Sequence, residues 1–121
     1  NVVMVAESDT PLHEVAADVA GRHGVQTLPV VADLGDPGAR AAIVAATAGR
    51  EIGLLVYNAA VSPIGRFVDT PTAALRATVD VNCHAPVQLC DEFAPRLAAR
   101  GRGGIVLMSS LSAMQGQAMV G

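Results

Sequence analysis

Four short apolar runs, each followed by a stretch with turn residues or helical spacing, leave this chain few architectures to adopt. The runs are residues 1–6 (NVVMVA), 25–32, 52–57 and 105–108. The first is nearly continuous, as expected for a strand buried on both faces. After it, Asp9 or Thr10 is placed to cap a helix with Pro11 at its first position. Leu12, Val15, Ala16 and Val19 recur at helical spacing, and Gly21 and Gly24 bracket the exit. Pro29 inside the second run calls for an edge strand. Asp36-Pro37 repeats the capping signature and opens an alanine-rich helix reaching about Gly49. A turn at Ser62-Pro63 follows the third run, and Thr70-Pro71 opens a long helical stretch to about Arg100. Pro86 interrupts that stretch and predicts a kink or an unpaired carbonyl one turn back. Glycines at 101, 103 and 104 end it before the fourth run. Strands alternating with helices imply an α/β domain over residues 1–121, with a parallel sheet and right-handed crossovers.

Composition narrows the partners. A chain of 121 residues that is 51% hydrophobic can bury one core. Charged residues make up 16% and the net charge is -3, so no basic face invites nucleic acid or anionic lipid. The longest uncharged stretch, residues 103–121, holds three serines and two glutamines and makes a poor membrane span. No basic segment precedes an apolar one at the start, so no signal peptide is expected. Cys83 and Cys90 stand seven apart in one helical stretch, roughly 10 Å along the axis. That is too far for a disulfide, and it points to a reducing, cytoplasmic setting.

In a parallel sheet, ligands and catalytic groups gather where strands end at their C-termini. Here those places hold Glu7-Ser8-Asp9, Asp33-Leu34 after Ala32, Asn58-Ala59-Ala60, and Ser109-Ser110. Asn82 joins them as a polar residue in an apolar helical stretch just before Pro86. Each also has a purely structural reading. Asp33 would serve as a helix cap, the small residues would make a turn, and the serines would satisfy backbone groups. Asn82 would fill the hydrogen bond that Pro86 frees. Cys83, His84 and Cys90 make no metal site on this reading, since adjacent helical residues point about 100° apart and no fourth ligand stands near.

In this order on alternating elements, the motifs resemble those of the short-chain dehydrogenase/reductase family. The chain looks like the stretch from that family's second strand to just past its catalytic serine, an incomplete Rossmann-like, doubly wound sheet made of strands two to five. Ala32-Asp33-Leu34 matches the aspartate-leucine pair at the adenine ring. Tyr57-Asn58-Ala59-Ala60 matches the asparagine-asparagine-alanine-glycine motif beside the cofactor, with Tyr57 for the first Asn and Ala60 for the Gly. Val81-Asn82 matches the helix asparagine of the proton relay, and residues 104–110 match the strand whose serine, here Ser110, is catalytic.

The resemblance implies hydride transfer between a nicotinamide and a small-molecule alcohol or ketone. It places the family's glycine-rich loop before Asn1, and its acid/base tyrosine and lysine about two and six residues beyond Gly121. These 121 residues alone are therefore expected to be inactive, and their sheet to lack its central first strand. Glu7-Ser8-Asp9 offers acids and no base, which suits a ribose hydroxyl and favours NAD over NADP. Pro63, Ile64 and Phe67 suggest a small apolar or cyclic substrate. The family's habit of association through the long helix implies a homodimer or homotetramer, with Ala94, Leu97 and Ala98 as its small apolar face. Other readings are a non-catalytic Rossmann-like domain that binds a nucleotide or partner, and a flavodoxin-like or receiver domain. A receiver needs an aspartate after the third strand, where Asn58 stands.

Overall fold

The structure is a computed structural model that describes residues 1–115 and 119. The remainder of the uncharged C-terminal stretch, 116–118, 120 and 121, lies outside the described residues. The chain forms two compact units, Asn1–Arg50 and Glu51–Gly121.

In the first unit, β1 (Val2–Ala6) and β2 (Thr27–Val31) pair in parallel, with Met4 opposite Pro29. Among the described residues β1 is the only strand neighbour of β2, which is the edge position Pro29 requires. Helix α1 (Asp9–His23) packs on both strands and buries Leu12 and Ala16. Its N-cap is Ser8, not Asp9 or Thr10. Pro11 therefore sits at the third helical position, still within the first turn, where a missing N–H costs nothing. Gly21 lies inside the helix, and Gly24 alone closes it in the left-handed conformation (φ 62°).

Helix α2 (Ala39–Ala46) begins later and ends earlier than its sequence signature implies. Residues 33–38 are spent in two side-chain-closed turns first. Asp33 Oδ1 accepts the Gly35 N–H at 2.8 Å, and Asp36 Oδ1 accepts the Gly38 N–H at 2.6 Å. Asp33 thus caps no helix; Gly38 is the N-cap of α2. At the other end, the buried Thr47 hydroxyl donates to the Ile43 carbonyl at 2.8 Å.

The second unit pairs β3 (Leu54–Tyr57) with β4 (Gly104–Leu107), again in parallel. The long helical stretch divides into α3 (Thr72–Val79), a π-helical turn (Asp80–His84) and α4 (Ala85–Arg100). A stripe of buried residues at four-residue spacing, Val81, Ala85, Leu89, Phe93 and Leu97, runs down the π turn and α4. Helix α4 packs on β3 and β4. Along β3 the pleat alternates: Tyr57 is buried, while Leu54 and Val56 on the opposite face are more than half exposed. Within this unit α4 thus covers the Tyr57 face of β3. In the first unit β1, whose apolar run predicts burial on both faces, is exposed at Val2 and only half-buried from Val3 to Ala6.

Leu97 also belongs to this core, so it is not part of an exposed small face. Ala94 and Ala98 remain exposed on α4, with Val87 on the same side of the helix.

Candidate functional site

Several of the candidate residues of the second unit neighbour groups that Tyr57 bonds. Its carbonyl accepts the N–H of Met108 at 2.9 Å, extending the β3–β4 ladder one step towards Ser109 and Ser110. Its side chain is buried, and its hydroxyl donates to the carbonyl of Val81, the residue before Asn82. Asn58, Ala59 and Ala60 follow directly, all exposed, with side chains small enough for a flat ligand to approach the main chain. One residue thus links the ends of two strands to the π turn.

Pro86 explains the π turn. It has no N–H to give the carbonyl of Asn82 four residues earlier. The ladder adjusts by lengthening, and the N–H of Ala85 reaches back five residues to the Asp80 carbonyl. The sequence-based choice between a kink and an orphaned carbonyl is therefore resolved by a π turn centred on Asn82.

Asn82 does not fill the bond that Pro86 frees. Its Oδ1 accepts the Val61 N–H at 2.9 Å and its Nδ2 donates to the Val61 carbonyl at 2.8 Å. This two-point clasp holds the loop after β3, whose role sequence reasoning did not foresee. Further along that loop Gly65 donates to the Met119 carbonyl at 2.8 Å. Pro63 is half-buried, whereas Ile64 and Phe67 are exposed, as are Leu111 and Met114 after β4.

Ser110 lies in extended backbone (φ −134°, ψ 156°), and its Oγ accepts the Ser112 N–H at 3.2 Å, capping a short 3-10 turn at Leu111–Ala113. A hydroxyl keeps its single donor when it accepts such a bond, so Ser110 can still donate to a ligand oxygen. In the first unit, Glu7 is exposed directly after β1, and Asp33 and the half-buried Leu34 follow β2. Asp9 is drawn into an exposed pair with His13 (Oδ1 to Nδ1, 2.8 Å). Cys83 and Cys90 are free thiols, and no cluster of His, Cys, Asp or Glu among the described residues has metal-binding geometry. No helix among them is long and apolar enough to cross a membrane.

Burial pushes the Tyr57 phenol above its ordinary pKa of 10.0. The fold thus favours the neutral form. The associated stability is complete below about pH 10 and is lost as pH rises through the raised value. In an ultraviolet titration, the difference between the native protein and Tyr57→Phe should show this phenolate with a midpoint above the ordinary 10.0, together with alkaline unfolding. Ionisation at or below the ordinary value would mean that the ring is not buried.

In the sequence Tyr57 stands only as a replacement for the first asparagine of a motif. Two signals could have singled it out: it is the only tyrosine, and it ends a strand whose partner helical stretch holds a proline that breaks the ladder next to Val81.

Known proteins share this arrangement of elements. Residues 1–121 match the family model for short chain dehydrogenases. The chain is 32% identical over 112 residues to a 7beta-hydroxysteroid dehydrogenase of Collinsella aerofaciens, covering 93% of this chain and 43% of the relative. A solved 7beta-hydroxysteroid dehydrogenase superimposes with a TM-score of 0.92 at 29% identity, over 98% of this chain and 47% of that one. A short-chain dehydrogenase from Sphingobium yanoikuyae, in complex with NADPH, gives a TM-score of 0.85 at 29% identity, over 93% and 44%. The chain thus spans less than half the length of these relatives. Each strand pair, β1 with β2 and β3 with β4, is a neighbouring pair in the Rossmann-like order that the sequence motifs suggested. With its whole length matched by the family model and 32% identity to a relative over 93% of its residues, the chain belongs to the short-chain dehydrogenase/reductase family.

Proposed function

We propose that this chain is part of an NAD(P)-dependent oxidoreductase acting on a small-molecule alcohol or ketone. The observation that carries the reading is the junction at Tyr57, which ties Asn58-Ala59, the strand leading to Ser110 and the turn bearing Asn82 to one residue. A bound dinucleotide would supply or accept the hydride. The residues present suit such a group. Asp33 is an exposed carboxylate that can accept from an adenine amine, and Glu7 can accept from ribose hydroxyls. Asn58, Ala59 and Ala60 leave the main chain open to a flat ring. Ser110 would donate a hydrogen bond to the substrate oxygen and stabilise the charge that builds there. Asn82 would shape the proton path through its turn. The acid/base tyrosine of the family has no counterpart among these residues, so turnover is assigned to the full-length protein and not to this segment alone.

The exposed apolar side chains of Ile64, Phe67, Leu111 and Met114 favour an apolar, cyclic alcohol or ketone. The name of the Collinsella relative, a hydroxysteroid dehydrogenase, is in keeping with that class. Free thiols fit a cytoplasmic protein, and the exposed Val87, Ala94 and Ala98 face of α4 fits a homodimer or homotetramer.

For the cofactor, Glu7 favours NAD. A carboxylate beside the 2′-phosphate of NADP would be a like-charge contact, which suppresses the wrong partner. The NADPH found with the Sphingobium protein makes this the sharper test. The full-length protein is expected to bind NADH at least about ten-fold more tightly than NADPH, with Glu7→Ala narrowing the gap. Calorimetric titration of both would decide it, and tighter NADPH binding would overturn the preference. Oxidation of neither cofactor with any of a panel of cyclic ketones would overturn the oxidoreductase reading itself.

A further inference from the structure

The carbonyl of Val81 has lost both helical donors that would ordinarily serve it. The α-helical donor, the N–H of Ala85, is committed to Asp80. The π-helical donor would come from residue 86, which is proline and has no N–H. A buried carbonyl without a partner is costly, and Val81 is buried. The hydroxyl of Tyr57, reaching across from the end of β3, is the group that fills this vacancy.

We propose that Tyr57 is a positioning residue: its hydroxyl replaces the N–H that Pro86 denies to Val81, and so fixes the π turn whose Asn82 clasps the backbone of Val61. Three contacts then form one mechanical chain. Met108 N–H to the Tyr57 carbonyl sets the ladder beside Ser110. Tyr57 hydroxyl to Val81 sets the turn. Asn82 to both backbone groups of Val61 sets the loop after β3. Phenylalanine would fill the same buried space and leave the carbonyl unserved. The tyrosine at this position therefore serves through its oxygen, at a position where the resemblance implies an asparagine.

The catalytic part of this proposal rests on the oxidoreductase reading; the mechanical part does not. The test is a cycle of Tyr57→Phe and Pro86→Ala in the full-length protein. Alanine at 86 restores a backbone N–H, so the helix can serve Val81 without help from Tyr57. With Pro86 present, Tyr57→Phe should speed amide exchange at Val61 about ten-fold or more, as one buried bond is lost. It should also lower kcat about ten-fold while the cofactor KM moves less than about two-fold, the signature of misplacement and not of lost binding. In the Pro86→Ala background the same change should alter both readings by less than about two-fold.

Unchanged exchange at Val61, or equal losses in both backgrounds, would overturn the proposal. Faster exchange with kcat unmoved would overturn the positioning role in a protein that turns over. Should Tyr57→Phe fail to fold, folding of the double variant would support the proposal, and its failure would count against it. If the native protein turns over no alcohol or ketone, the oxidoreductase reading falls, and exchange at Val61 still decides the mechanical link.

Discussion

Ser110→Ala in the full-length protein is expected to lower kcat by about 10²–10³-fold, the loss measured when a single preorganised donor to a developing oxyanion is removed. The variant should fold normally. Ser110 is exposed, and among the described residues the one bond its Oγ makes is the 3.2 Å acceptance from Ser112, so its removal should cost about 1 kcal/mol of stability or less. The substrate KM should change far less than kcat, because the donor matters most when charge has built on the oxygen. Ser109→Ala is the internal control. Neighbouring residues in extended backbone point to opposite sides, so Ser109 and Ser110 cannot both face one ligand. Steady-state kinetics on the two variants would separate them. A large loss in Ser109→Ala with near-native Ser110→Ala would transfer the role to the first serine. Near-native rates in both would remove this loop from the chemistry.

Much of the scaffold was legible because strands and helices announce themselves by period and by punctuation. All four strands fall within a residue or two of their apolar runs, and Gly24 and Gly101 end their helices in the left-handed conformation. The boundaries that moved did so where side chains compete with the helix. Asp33 and Asp36 close turns that delay α2, and no capping pattern shows that a cap residue will choose a turn instead. The two-sided burial inferred from the first apolar run is only partial in β1, exposed at Val2 and half-buried from Val3 to Ala6 within its unit, because hydrophobicity records what a strand tolerates and not which face a helix covers. At the site, each loop was legible as a position after a strand. The connections between loops were not. They run from Tyr57 to Val81 and from Asn82 to Val61, across 24 and 21 residues, and no local pattern encodes them. Pro86 carried part of that information, since it shows that the helical ladder must break near Asn82 but neither that the π turn leaves the Val81 carbonyl to be served nor which hydroxyl serves it.

The glycines before β4 separate turn chemistry from packing, and Gly103→Ala is expected to be the most destabilising single-methyl change in the second unit. In sequence the three glycines at 101, 103 and 104 read alike, as the end of a helix. Gly101 has φ 70° and open space around the position of a Cβ, so Gly101→Ala meets only the left-handed backbone penalty, about 1 kcal/mol. Gly103 has φ 129°, and a Cβ there would stand 2.6 Å from the Gly53 carbonyl oxygen and 2.7 Å from Leu97 Cδ2. The Gly53 oxygen cannot retreat freely, because it accepts the Gly104 N–H at 3.2 Å at the start of the β3–β4 ladder. Leu97 cannot swing away either, since it ends the buried stripe of α4. Backbone strain of about 1–3 kcal/mol then adds to overpacking of similar size. A total near 4 kcal/mol would lower the melting temperature of a protein of about 250 residues by roughly 10 °C. Thermal denaturation of the two full-length variants side by side is the measurement. If Gly103→Ala costs no more than Gly101→Ala, then β3 and β4 do not approach as closely at Gly53 as the structure has them. The strand ends that carry Asn58 and Ser110 would then lose the rigid base that the junction at Tyr57 relies on.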